Sequence, residues 1–263
     1  MLPVIPSAAM SAASDRPAPE ETVALVTGGG GGLGLAMARA LQRAGYQVAL
    51  IVRNEERAAN RVRDFETPPA ILVADVTDRA AMEATVAKVT FGGLGEPLVL
   101  INAAGIAESS SLLPPDDALW DRTLAINTTG TWIAATACLP HMKKAGYGFV
   151  CNVASTAALE GYRYTAAYVA SKHAVLGLTR AMRADLEGSG VGVTAVCPGF
   201  LDTPMTDRTI ANMVEKTGMN EGEARMAIAR MNASERLITP DEVARAIMGQ
   251  LEAGAPDESL RID

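Results

Sequence analysis

The chain has 263 residues, 49% of them hydrophobic and 20% charged, enough for one large α/β domain with a full core and too few for two. Its formal net charge of −7 comes without a basic cluster, which argues against nucleic acid or an anionic membrane surface as partner. Three widely spaced cysteines, Cys138, Cys151 and Cys197, support neither a disulfide framework nor a zinc site; reduced thiols and the cytosol are the expectation.

Residues 1–20 are rich in Ala, Ser and Pro and lack a basic, then apolar, secretion signal, so they read as a disordered lead-in, with Met10 a second candidate start. No apolar run approaches the ~20 residues that span a bilayer. From there apolar runs alternate with helical patterns. "TVALVT" (22–27) is a predicted strand, and "LGLAMARALQRAG" a helix stopped by Gly45. Further strands follow at 46–52, 70–75, 97–105, 148–155 and 191–199. Continuous apolar runs imply strands covered on both faces, and intervening helices imply parallel pairing. The prediction is a single-domain, doubly wound parallel sheet flanked by helices, spanning residues 21–263.

Five consecutive glycines follow the first strand and admit two registers. Gly29, Gly31 and Gly34 fit G-x-G-x-x-G, whereas Gly28, Gly32 and Gly34 fit T-G-x-x-x-G-x-G after Thr27. Either way a strand–turn–helix rich in glycine suits a pyrophosphate at a helix N-terminus. No Gly-Lys-Ser/Thr follows, so it is not a P-loop. A dinucleotide site also wants an acidic residue ~20 positions on, for the adenosine ribose. Here the second strand ends "ALIVRNEE": Val52 takes that place and Arg53 follows. A guanidinium pairs with a 2′-phosphate, which favours NADP(H), with NAD(H) the alternative. Gly30 and Gly31 leave the turn without a second basic residue.

Tyr168 and Lys172 stand at i and i+4 in a predicted helix and share one face. An ammonium beside a phenol of reference pKa ~10 is expected to lower it, making an acid–base unit for carbonyl/alcohol interconversion. Ser155 closes the fifth strand, at the edge where open α/β sheets place ligands. "NAAG" (102–105) closes the fourth strand, "PGFLDTPM" (198–205) the sixth, and Asn127 lies in a helical region. His141 and His173 are read as having no chemical role.

Together these pieces resemble the short-chain dehydrogenase/reductase family over about residues 21–250, with a Rossmann-like fold, and the likeness selects the register that starts at Gly28. The resemblance implies that Asn127, Ser155, Tyr168 and Lys172 form the catalytic set. It implies cofactor contacts from Thr27, Gly28, Gly30, Gly31, Gly32, Leu33 and Gly34, and from Arg53 and Asn54 at the adenosine end. Asp75 and Val76 would flank the adenine. Asn102, Ala103, Ala104 and Gly105 would line the cofactor, with Pro198, Gly199 and Thr203 on the nicotinamide side. Tyr168 and Lys172 would touch the cofactor too. The implied partners are a small ketone or alcohol and further copies of the chain, as homodimer or homotetramer. No metal is called for.

Two departures from the family pattern stand out. The end, "GQLEAGAPDESLRID", carries no glycine-rich segment and reads as lacking the family's usual C-terminal strand. Residues 204–235, the expected substrate lid, contain Met205, Met213, Met219, Met226 and Met231, either an adaptable apolar wall or plain packing. That region resembles bacterial reductases of 3-oxoacyl thioesters. The leading expectation is NADPH-dependent reduction of a ketone. An NAD-dependent alcohol dehydrogenase and a catalytically idle nucleotide-binding domain are the alternatives.

Overall fold

A computed structural model of the chain describes residues 16–263, so most of the expected lead-in, and Met10, lie outside the described residues. Its last part, Pro19–Glu21, forms a 3-10 turn that runs straight into the first strand. The strands are β1 (Thr22–Thr27), β2 (Gln47–Val52), β3 (Ala70–Val73), β4 (Glu96–Asn102), β5 (Gly148–Val153), β6 (Val191–Pro198) and β7 (Ser259–Ile262). They make one seven-stranded, all-parallel sheet in the order β3-β2-β1-β4-β5-β6-β7. Six of the strands are the predicted ones, each ending zero to three residues earlier than the apolar run suggested, because the run continues into loop residues at the carboxyl edge.

The helices between them are α1 (Gly32–Arg43), α2 (Glu55–Arg61), α3 (Arg79–Phe91), α4 (Asp117–Leu124), α5 (Gly130–Ala145), α6 (Ala166–Asp185), α7 (Pro204–Thr217), α8 (Glu221–Ala229) and α9 (Pro240–Ala253). Side chains of α1, α2 and α9 pack with Ala24, Val26, Leu50 and Phe149 on one face. Those of α3, α5 and α6 pack with Leu25, Ile51, Leu100 and Val150 on the other. Leu25, Leu50, Leu100 and Phe149 are fully buried, each worth about 1.5–3 kcal/mol relative to exposure. Two-sided burial explains why the strands read as continuous apolar runs.

The expected lack of a C-terminal strand is not met. β7 pairs with β6 from Ala195↔Ser259 to Pro198↔Ile262. It is four residues long, at the sheet edge, with Arg261 on its exposed side, so it leaves no apolar run to read. Polar contacts outside its own sequence hold it: Arg183 Nη1 donates to Pro256 O at 2.9 Å, and Arg180 pairs with Glu258 at 2.7 Å.

The strand order reverses between β1 and β4, so their connections leave in opposite directions and open a crevice at the carboxyl edge. Among the described residues, no helix is long and apolar enough to cross a membrane. All three cysteines are free and buried.

Candidate functional site

The glycine turn lies at that crevice, and most of its glycines stand where a side chain would collide. Gly28 has φ +65, and a Cβ there would lie 2.8 Å from backbone atoms of Ala103 and Ala104. A Cβ on Gly34 would meet Gly28 O at 2.5 Å, and one on Gly32 would meet Thr203 Cγ2 at 2.7 Å. Gly28, Gly34 and Gly32 are therefore points where the turn touches the β4 loop, itself and the segment after β6, and Gly29 is as crowded, 2.6 Å from Leu50 Cβ by the same measure. A Cβ on Gly30, by contrast, would meet only Val52 and Ala58, at 3.8 and 3.9 Å. Gly31 caps α1 with no side chain, and Leu33 is buried in its first turn. Thr27 Oγ1 accepts from Ala104 N at 3.2 Å and so ties β1 to the "NAAG" segment. This cradle, closed to side chains at Gly28, Gly29, Gly32 and Gly34 and facing an uncapped helix start, fits a dinucleotide pyrophosphate.

Just after β2, Arg53 and Asn54 are exposed. Asn54 accepts from Arg57 N at 2.8 Å and caps α2. Asp75 is half-buried; the N–H of Thr77, then its hydroxyl, hold the carboxyl below its usual range, and Arg53 adds a smaller pull. Val76 is buried, and a Cβ on Gly130 would meet its Cγ2 at 2.6 Å, so its side chain packs against α5. Arg61, which the sequence pattern did not single out, donates to Gly30 O at 2.8 Å.

A buried polar chain links β4 to the helix that carries Tyr168 and Lys172. Asn102 Nδ2 donates to Asn152 Oδ1 at 3.0 Å, and Asn152 Nδ2 donates to Thr179 Oγ1 on α6 at 2.9 Å. Asn127 lies in a π-helical segment, Ala125–Thr129, between α4 and α5, the kind of local widening common at functional sites. It is fully buried. Its Oδ1 accepts from Ile106 N at 2.9 Å, while Nδ2 donates to Ile106 O at 3.0 Å and to Ser171 Oγ at 2.9 Å. Loop 105–106 and α6 are thus pinned through one side chain. The Cβ position of Gly105 is 3.2 Å from Asn127 Oδ1 and 3.6 Å from Lys172 Nζ, which brings three segments distant in sequence to one place.

Ser155 follows β5 and caps a short 3-10 turn, Thr156–Ala158; its Oγ accepts from Ala157 N at 3.1 Å and keeps its own hydrogen to donate. Lys172 is 5% exposed, donates to Val153 O at 2.8 Å, and sits 5.7 Å from the centroid of the Tyr168 ring. Burial pushes its pKa down to about 8. The expected lowering of the phenol is not met: burial raises the Tyr168 pKa, the hydrogen bond with Ser155 opposes this, and Tyr162 adds to it. The desolvation of a phenolate outweighs the one hydrogen bond that favours it. His141 pairs with Glu96 at 3.1 Å, and His173 is exposed with Nδ1 3.0 Å from Val169 O.

After Pro198, Gly199 N donates to Ile262 O at 2.8 Å, so β7 anchors the start of the next segment. Asn232 is the hub beneath α7 and α8. Its Oδ1 accepts from Phe200 N at 2.7 Å, and Nδ2 donates to Phe200 O at 2.9 Å and Arg236 O at 2.6 Å. Ile210, Ala224 and Ile228 make a small core with Phe200, Met213, Val214 and Leu237. Met219, Met226 and Met231 stay exposed. Asn232→Leu removes three hydrogen bonds to partly buried backbone groups, so a loss of about 2–3 kcal/mol is expected. Thermal unfolding, with proteolysis near residue 232, checks this; an unchanged midpoint would remove Asn232 as the hub.

The profile of the short chain dehydrogenase family matches residues 22–213. The chain is 38% identical over 232 residues to 2-(S)-hydroxypropyl-CoM dehydrogenase 3 of Xanthobacter autotrophicus, covering 86% of this chain and 88% of that one. It is 37% identical over 191 residues to a granaticin polyketide synthase putative ketoacyl reductase of Streptomyces violaceoruber, covering 71% and 70%. A crystal structure of an actinorhodin polyketide ketoreductase variant with NADPH superposes with a TM-score of 0.86 at 31% identity, covering 93% of this chain and 96% of that one. The parallel sheet, the glycine cradle and these likenesses agree: the chain is an NAD(P)-dependent oxidoreductase acting on CH–OH or C=O groups, and it belongs to the short-chain dehydrogenase family.

Proposed function

We propose that the protein is an NADPH-dependent reductase of a ketone, of the class of 3-oxoacyl thioesters or other β-keto compounds, giving a secondary alcohol. The observation that carries this is the convergence of Ser155, Tyr168, Lys172 and Asn127 beside the glycine cradle. The named ketoacyl reductase and ketoreductase relatives support the reductive direction. Arg53, exposed and next to Val52, which stands where an NAD-selective site would hold a carboxylate, supports NADPH.

NADPH, when bound, would supply the hydride. Ser155 Oγ, already accepting from Ala157 N, donates its hydrogen to the substrate carbonyl oxygen. Tyr168 holds a proton on its phenol oxygen throughout the neutral range, since its pKa is raised, and delivers it to the forming alkoxide. Lys172 carries a positive charge below about pH 8 and favours the negative charge left on the tyrosine. Asn127 positions the Ile106 loop and Ser171 of α6, and so holds Lys172 and Tyr168 in reach of one carbonyl. Residues 204–235 form the lid over the substrate, hinged on Asn232. No metal is needed, because preorganised donors stabilise the developing oxyanion.

A pH dependence follows. The proton of Lys172 is present below about pH 8 and lost above it, and reduction also needs the neutral phenol. With saturating NADPH, ketone reduction should be level near neutrality and fall as pH rises through about 8, while alcohol oxidation, which needs the phenolate of a raised-pKa tyrosine and loses the Lys172 charge over the same range, should gain nothing there. Matching pH–rate profiles in both directions check this; a reductive rate that climbs with pH would remove Tyr168 as the donor.

The test of the overall reading is steady-state turnover of a ketone panel, including acetoacetyl and longer 3-oxoacyl thioesters, with NADPH and NADH side by side. The oxidative alternative has support in the dehydrogenase names among the relatives. It would be preferred if secondary alcohols and NAD turned over faster than any ketone with NADPH.

A further inference from the structure

Position 30 is an unusual glycine. Its φ is not in the left-handed region, and a Cβ there would find only ordinary contacts with Val52 and Ala58. Neither backbone nor packing requires glycine, so the turn leaves open the space a side chain would take beside the end of β2. Arg61, in the last turn of α2, reaches this same residue: its Nη1 donates to Gly30 O at 2.8 Å, and the side chain is half-buried. That is its one hydrogen bond among the described residues, so the other guanidinium hydrogens remain to donate. Neither Arg53 nor Arg61 is in a salt bridge among the described residues. The half-buried acid that senses Arg53, Asp75, is committed to Thr77 at 2.9 and 2.7 Å.

We infer that Arg61 is a specificity-determining residue for the adenosine end of the cofactor: it holds the glycine turn through Gly30 and supplies, from α2, the second positive charge that a 2′-phosphate meets beside Arg53. The inference rests on the NADPH reading above. It also explains why the turn can consist of glycine alone, since the cation comes from a helix eight residues after Arg53. A guanidinium suits this double duty, because its planar fork can bond a carbonyl with one edge and a phosphate with another.

The test is equilibrium binding, independent of turnover. NADPH and NADH affinities are read by nicotinamide fluorescence, and 2′,5′-ADP and 5′-ADP by displacement, for the wild type, Arg61→Met, Arg61→Lys and Arg53→Met. Loss of a charge-assisted bond to phosphate predicts that Arg61→Met weakens NADPH and 2′,5′-ADP by about ten- to a hundred-fold. NADH and 5′-ADP should change by no more than about three-fold, and Arg61→Lys should keep part of the preference. Equal losses for NADPH and NADH would overturn the proposal and leave Arg61 as a clamp on the turn. No loss for either would also overturn it. Wild-type protein that binds NADPH and NADH equally, and 2′,5′-ADP no better than 5′-ADP, would instead defeat the NADPH reading itself. Selectivity lost in Arg53→Met but kept in Arg61→Met would separate the two, sparing that reading and ending this one.

Discussion

Tyr168→Phe is expected to lower ketone reduction by about a hundred- to ten-thousand-fold, the usual contribution of a positioned general acid. The substitution removes one oxygen and little else. The ring that faces Lys172 remains, as does the Tyr168 carbonyl that accepts from Ser171 Oγ at 2.7 Å. Burial disfavours the ionised phenol, so the folded protein loses no stabilising charge with it. The thermal midpoint and the NADPH affinity should therefore stay near the wild-type values while turnover collapses. Steady-state kinetics beside a binding titration make the comparison. Near-normal turnover in Tyr168→Phe would mean that another group donates the proton. Tyr162 would be the first to examine, because its phenol is close enough to raise the Tyr168 pKa and it bonds Thr156 Oγ1 at 2.9 Å.

The second large effect is expected at Gly34. In Gly34→Ala the new methyl would sit 2.5 Å from Gly28 O and 2.8 Å from Gly29 Cα, and neither is a side chain that can rotate away. Either the turn opens or α1 backs off from it. Retreat disturbs the packing of Met37 and Leu41, both fully buried, so a cost of about 1–3 kcal/mol is expected. Dinucleotide affinity should fall further, by about a hundred-fold, because the turn's N–H groups move by roughly 1 Å from the pyrophosphate. Gly30→Ala is the matched control. Its methyl meets only side chains at ordinary distance, so stability should stay within about 0.5 kcal/mol. Chemical denaturation and NADPH titration of the pair decide the matter. Equal effects at 34 and 30 would mean that glycine content, not the register, governs the site.

The sheet was legible because its strands are buried on both faces. Runs such as "ALIV" and "LVLI" have no other use in a chain of this size. The glycine register was legible only through residues far away. The glycines look alike in sequence, and the crowding at Gly28, Gly29, Gly32 and Gly34 comes from Ala103, Ala104, Leu50, Thr203 and the turn itself. β7 escaped notice because backbone pairing and two arginines from α6 hold it, and neither leaves an apolar pattern. Arg61 and Asn232 escaped for a related reason. Each works by bonding a backbone carbonyl more than two residues away, and any polar residue on a helix or loop looks the same until the fold brings that carbonyl near. The Tyr168–Lys172 pair shows the limit of spacing alone. The i, i+4 relation placed both on one face, but the direction of the phenol's pKa depended first on burial, which no spacing shows.

The most direct measurement of the central claim follows the transferred hydrogen. Protein, a 3-oxoacyl thioester and NADPH carrying deuterium on the reactive nicotinamide carbon would be incubated near neutral pH, and the product read by mass spectrometry. The account predicts a secondary alcohol with one deuterium on the carbinol carbon, formed in step with NADPH consumed, and formed at background rate by Tyr168→Phe. It would be contradicted by a protein that binds NADPH but gives no deuterated alcohol from any ketone in the panel, or by a Tyr168→Phe variant that gives the same alcohol at the wild-type rate.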